Sequence, residues 1–289
     1  MNDKRKAARG VGCMGSDGLP LRETGPWATD KYHYVGHYMH MFATGMKNLW
    51  KRRTYVDLFA GPGRCRVKRT GEELDGSPLL ALGCNFTSWL FVEKDPAYAR
   101  ALRDRCSKVK PDGGWRVLQG DCNEVVEEIR ESLDAGCLAL MVVDPYGMTN
   151  LRFETVRRIT HDRRVDLIVT FPEEMSVRRN LWQWVRSSHC PLDDFMGAGE
   201  WRGALQRFHG AALPRLERTL AAVYKQALQN IGYTYADTVD EIVTIRTPRN
   251  VPLYKLIFAS KHGRGVDFWN KAVAITPAGE RKLPFGPAA

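Results

Sequence analysis

The chain has 289 residues, 44% hydrophobic and 26% charged, which excludes a disordered, collagenous or fibrous protein and leaves room for one large α/β core without disulfide staples. Its 43 Lys and Arg outnumber 33 Asp and Glu, and the net charge of +10 favours a polyanionic partner, nucleic acid first, through counterion release from phosphates. No run approaches the roughly 18 apolar residues of a membrane span, so no membrane is expected, and the seven scattered cysteines, none in a CxxC pair, point to a reducing cytoplasm.

Residues 1–26 carry five glycines and no apolar period, so they read as a flexible amino-terminal arm, with order beginning near Trp27. From Asp30 the residues Tyr34, Tyr38, Met41, Phe42 and Met46 recur at helical steps, and the helix ends before Lys51. Thr54 to Phe59 is a strand that runs into Ala60-Gly61-Pro62-Gly63; Trp89 to Val92 is a second, ending in Glu93; Val117 and Leu118 belong to a third, ending in Gly120-Asp121. Helical patterns at 98–109 and 124–133 separate them. Leu138 to Val143 is apolar throughout, as a strand covered on both faces must be, and it ends in Asp144-Pro145-Tyr146-Gly147. A helix over 153–160 and a strand over 165–171 follow. Strands alternating with helices imply a doubly wound parallel sheet. Helical, basic sequence at 200–231 and two strands at 241–245 and 254–260 then predict a helical insertion over about 175–231 and a closing antiparallel hairpin, with a tail at 276–289 after a main unit of 27–275.

The strand tips hold the chemistry. Gly61 and Gly63 let the backbone bend sharply and approach a ligand, although a plain glycine turn has the same sequence. The segment is no dinucleotide fingerprint, because Arg66 stands where a third glycine is needed, and this argues against a nicotinamide dehydrogenase. Glu93 could accept both hydroxyl hydrogens of a ribose, and Asp121 could accept from an adenine amino group. Either alone reads as a solvated loop; acceptors at three consecutive tips are harder to dismiss. At the fourth, the Asp144 carboxylate and the Pro145 carbonyl can each accept a hydrogen bond from an exocyclic amine, while Tyr146 stacks on the base plane.

These residues resemble the S-adenosylmethionine-dependent methyltransferases of the Rossmann-like class, which implies a seven-stranded, mostly parallel sheet with a C-terminal antiparallel hairpin. More closely, Trp27 with Lys31, Asp57-Leu-Phe-Ala-Gly-Pro-Gly, Asp75-Gly-Ser-Pro-Leu, Gly120-Asp-Cys-Asn, Asp144-Pro-Tyr-Gly-Met, Phe258-Ala-Ser-Lys-His and Phe268-Trp-Asn-Lys are similar to the three-Cys-motif partner proteins, over nearly all of 27–275. That resemblance implies a second protein bearing a radical-type three-cysteine motif. It also implies that Asp57, Gly61 and Gly63 cradle the methionine end of the cofactor, Glu93 its ribose and Asp121 its adenine, with Asp144 facing the substrate amine. One proline before Tyr146, where adenine-directed enzymes have two, is nearer the Asp-Pro-Phe-Gly loop of transfer-RNA guanine amine methyltransferases, so adenine and guanine both stay open.

A long segment, Arg64 to Asp75, separates the glycine loop from the next helix, which looks capped by Ser77 with Pro78 in its first turn. Its Arg64, Arg66, Lys68 and Arg69, with Arg178 and Arg179 ahead of Trp182 and Trp184, suit a nucleic-acid groove, or equally a solvated basic loop and core tryptophans. His33, His37 and His40 lack the further ligands a metal needs. The expectation is therefore a cytoplasmic methyltransferase acting on an exocyclic base amine; its rival is a non-catalytic scaffold that holds nucleic acid and positions the three-cysteine partner.

Overall fold

The computed structural model describes residues 13–172, 175–197, 200–206, 213–236 and 243–281. In chain order the elements are β1 (Arg22–Thr24), α1 (Ala28–Gly45), β2 (Arg52–Asp57), β3 (Arg64–Val67), β4 (Glu73–Asp75), α2 (Ser77–Leu82), β5 (Ser88–Glu93), α3 (Pro96–Val109), β6 (Trp115–Gln119), α4 (Val126–Glu131) and β7 (Cys137–Val143). There follow α5 (Phe153–Thr160), β8 (Arg164–Pro172), α6 (Met175–Arg186), α7 (Pro191–Met196), α8 (Glu200–Gln206), α9 (Leu213–Asn230), β9 (Tyr235–Ala236), β10 (Val243–Arg246), β11 (Pro252–Ser260) and α10 (Gly263–Val273).

The main sheet runs β10-β11-β8-β7-β2-β5-β6, with the short β9 added beside β11. Neighbours from β8 to β6 are parallel, whereas β11 is antiparallel to both β8 and β10. The chain thus starts mid-sheet, walks to one edge, crosses back, and ends in an antiparallel hairpin: a Rossmann-like, doubly wound α/β fold. Strand alternation explains why the strands are apolar throughout. Val56, Leu90, Val92, Met141 and Val143 face a core closed by α4, α5, α7 and α9, while Tyr55, Phe91, Leu140, Val142 and Phe258 face one closed by α1, α2, α3 and α10. Each large apolar side chain so buried contributes roughly 1.5–3 kcal/mol. Trp269 on α10 stacks on Phe258 with centroids 5.1 Å apart, fixing the last helix against the inserted strand.

Two expectations need correction. The arm expected over 1–26 is part of the fold from Cys13 onward: β1 pairs in parallel with β3, which pairs with β4, so that the segment after the glycine loop is a hairpin in a separate three-stranded sheet. Arg105 on α3 secures this strap, its guanidinium bonding Asp17 at 2.8 and 2.9 Å and the carbonyls of Leu19, Pro20 and Pro62. Nor does Ser77 cap α2. The N-cap is Gly76, and the Ser77 hydroxyl turns inward to donate to Asp57 at 2.6 Å. Donating to a buried carboxylate is a charge-assisted bond, stronger than accepting from an exposed helix amide.

Candidate active site

The first strand of the main sheet, β2, meets β7 where the strand order reverses, the place at which open α/β sheets bind ligands. Asp57 at its tip is fully buried and accepts from the Phe59 amide at 3.1 Å, the Tyr55 hydroxyl at 3.1 Å and the Ser77 hydroxyl. Burial outweighs these bonds and pushes its pKa up to about 6. It lies beneath the glycine loop and shapes it. Gly61 and Gly63 have φ of 64° and 87°, the left-handed region that a side chain resists. A Cβ on Gly63 would strike Leu102 at 2.9 Å; one on Gly61 would point toward the Tyr146 hydroxyl 4.0 Å away, filling the cradle that the loop forms.

Glu93, at the tip of β5, is the strut of this loop. Its Oε2 accepts from the Gly61 amide and its Oε1 from the Asp95 amide, both at 2.7 Å, and Asp95 in turn caps α3 by accepting from Ala97 and Tyr98. Burial raises the Glu93 pKa against those two bonds. Asp121, beyond β6, accepts from Lys94 Nζ at 2.8 Å and from Asn123; these bonds prevail over desolvation and hold its pKa below the usual value. Asn123 also donates to the Asn150 carbonyl, tying this loop to the one after β7. Glu93, Gly120, Asp121, Tyr146 and Phe59 line one crevice.

At the β7 tip Asp144 is half-buried, and its Oδ2 accepts from Lys31 Nζ of α1 at 2.5 Å. Burial would raise its pKa, but the charges of Lys31 and Arg22 more than offset this and keep the carboxyl low and ionised. Pro145 is buried and Tyr146 is 49% exposed, with the Arg22 guanidinium 3.5 Å above its ring. The sequence reading missed Arg22 and the Lys31–Asp144 contact. A hint of the second lay in Lys31 itself, one of few charges on an apolar helix pattern.

The basic residues expected on a nucleic-acid face divide. Arg64 binds Asp75 at 2.7 Å and Arg66 binds Glu73 at 2.8 Å, so both tie the small sheet together while their side chains stay about a third exposed. Lys68 and Arg69 are exposed, Lys68 lying 4.0 Å from Glu23. The side chains of Arg178, Arg179 and Trp182 lie outside the described residues, and Trp184 packs on the core. A cavity of about 490 Å³ opens at the opposite end of the parallel strands, among Phe42, Trp50, Arg164, Asp166 and Phe268, and it contains none of the acidic tips or glycine-loop residues. His33 and His37 lie ring to ring at 4.1 Å, and no cluster of three metal-ligand side chains occurs among the described residues. All seven cysteines are free, and no described helix is long and apolar enough to cross a membrane.

No family model and no curated protein matches this chain, so the similarity to three-Cys-motif partner proteins has no family match behind it. Among solved structures, the chain is similar to the METTL16 MTase domain, with 13% identity over 86% of this chain and 76% of that one and a TM-score of 0.46. It is similar also to TYW2 of M. jannaschii in complex with AdoMet, with 10% identity over 82% and 76% and a TM-score of 0.41, and to protein LPL1258 of Legionella pneumophila, with 9% identity over 85% and 90% and a TM-score of 0.46. The architecture stands on the strand order, and the reading of the crevice on its own residues.

Proposed function

We propose that the chain is an S-adenosylmethionine-dependent methyltransferase acting on an exocyclic amine of a nucleic-acid base. The observation that carries this is the convergence of Glu93, Asp121 and Tyr146 on one crevice beside a left-handed glycine loop, with Asp144 at the adjoining tip. The cradle fits an elongated nucleoside: Gly61 admits it without side-chain obstruction, Gly63 lets the loop close tightly on Leu102, Glu93 and Asp121 keep unfilled acceptor positions for hydroxyl and amino hydrogens, and Asp57 holds the loop from below. The cofactor supplies a methyl group on an already activated sulfonium.

What remains for the protein is alignment. Asp144 Oδ1 and the Pro145 carbonyl accept the two N–H bonds of the amine, turning its lone pair toward the methyl, while Tyr146 fixes the base plane. Lys31 anchors Oδ2 and keeps Asp144 an acceptor. The net charge of +10 and the exposed Lys68 and Arg69 on the hairpin after the glycine loop support a nucleic-acid substrate.

One observation favours the scaffold reading, with or without a three-cysteine partner: the Lys31 ammonium already occupies an Asp144 oxygen. Calorimetry decides between them. Micromolar binding of S-adenosylmethionine, absent for NAD and lost in Asp57→Ala, supports the enzyme, and labelled-methyl transfer to RNA or DNA then identifies the substrate. No binding at millimolar cofactor supports the scaffold.

A further inference from the structure

Most described cations near the crevice have carboxylate or carbonyl partners, and Arg22 does not. Lys31 is on Asp144, Lys94 on Asp121, Arg64 on Asp75, and Arg105 on Asp17 and three carbonyls. Arg22, among the described residues, donates no side-chain hydrogen bond and makes no ion pair; its guanidinium carbon lies over the Tyr146 ring, 3.5 Å from the centroid. A guanidinium stacked in this way keeps its in-plane N–H fork available. Its backbone is fixed by β1, where Arg22 pairs with Cys65, two residues past Gly63. Its guanidinium lies over Tyr146, which lines the crevice with Glu93 and Asp121, so the fork stands beside the glycine loop and the strand tips.

We infer that Arg22 is a cofactor-binding residue whose guanidinium takes the α-carboxylate of the cofactor's amino-acid arm. This rests on the S-adenosylmethionine reading and names a contact that reading did not include. A planar, two-oxygen monoanion matches the fork. A dianionic phosphate suits the place less well, because Glu93 and Asp144 already supply negative charge around the one guanidinium. An amino acid carries its own ammonium beside the carboxylate and so enters such a setting as a zwitterion. The arm ends at the glycine loop, and the nucleoside lies toward Glu93 and Asp121.

The test compares S-adenosylhomocysteine with 5′-methylthioadenosine, which keeps the nucleoside and sulfur but lacks the amino-acid arm. Dissociation constants are measured by calorimetry on the full chain, for wild type, Arg22→Ala and Arg22→Lys. Arg22→Ala should weaken S-adenosylhomocysteine by roughly tenfold to a hundredfold, the worth of a charge-assisted pair, and leave methylthioadenosine unchanged. Arg22→Lys, which keeps the charge and the strand, should recover part of the loss. Equal weakening of both ligands in Arg22→Ala and Arg22→Lys would mean that Arg22 shapes the crevice and would overturn the assignment. Unchanged S-adenosylhomocysteine binding with a raised KM for nucleic acid would make it a phosphate contact and overturn it too. Wild type binding neither ligand would sink the cofactor reading itself, and this contact with it.

Discussion

Two carboxylates on interior strands, Asp57 at the tip of β2 and Asp166 within β8, have nearly the same surroundings and opposite prospects. Asp57 is held by a tyrosine and a serine hydroxyl, and so is Asp166, which accepts from Tyr38 at 2.7 Å and from Ser260 at 2.5 Å. Both are buried, both are pushed up to about 6 by burial, and each lies near a cavity. Yet Asp166 ties α1 to β8 and β11 through two packing hydroxyls, whereas Asp57 sits under a backbone loop flanked by three other acidic tips. A displaced carboxyl marks burial; convergence of chain ends marks a site.

The contrast breaks most sharply on activity. Asp144→Ala should reduce labelled-methyl transfer by about a hundredfold or more while leaving cofactor affinity intact, since it removes alignment and not the cradle. Asp166→Ala, inside β8, should leave cofactor affinity unchanged but cost about 3 kcal/mol in urea unfolding, because two buried hydroxyls lose their acceptor. Undiminished transfer in the first variant, or lost affinity in the second, would erase the distinction.

Protonation sharpens it next. A carboxyl whose pKa in the fold lies above its unfolded value stabilises the fold in acid, and that contribution is lost as pH rises from about 4 through about 6. Asp166→Asn keeps the hydroxyl partners and removes the proton, so it should flatten the fall in stability across that window by up to about 1.4 kcal/mol per pH unit. Asp17 and Asp193, both lowered to about 2, act in the opposite sense and below the window. Smallest is the effect of Lys68→Ala with Arg69→Ala: unfolding within about 0.5 kcal/mol of wild type, and a nucleic-acid salt slope shallower by about one to two.

Most of the scaffold was legible because it is local. The apolar run at 138–143 is β7 at 137–143, the helix expected at 153–160 is α5, and the hairpin at 241–260 is β10 and β11 with Asn250 at φ 61° in its turn. The small sheet was not legible, for Arg22-Glu-Thr and Arg64-Cys-Arg-Val are short and polar and become strands only by pairing with each other. The tips could be read from strand ends plus acidic residues, but what fills them could not. That Arg22 covers Tyr146 and Lys31 reaches Asp144, 113 residues on, depends on side-chain geometry with no sequence period.

The strap has a consequence for how the molecule is made. β1 is synthesised before everything it touches: its partner β3 comes about 40 residues later, and the Arg105 that secures Asp17 comes 88 later. Closing such loops brings no gain until the distant contacts exist, so on a growing chain this strap docks only after α3 has formed. The wall bearing Arg22 is then made before its partners and is among the last parts to settle, and slow appearance of ligand binding after the sheet has folded would be its kinetic signature.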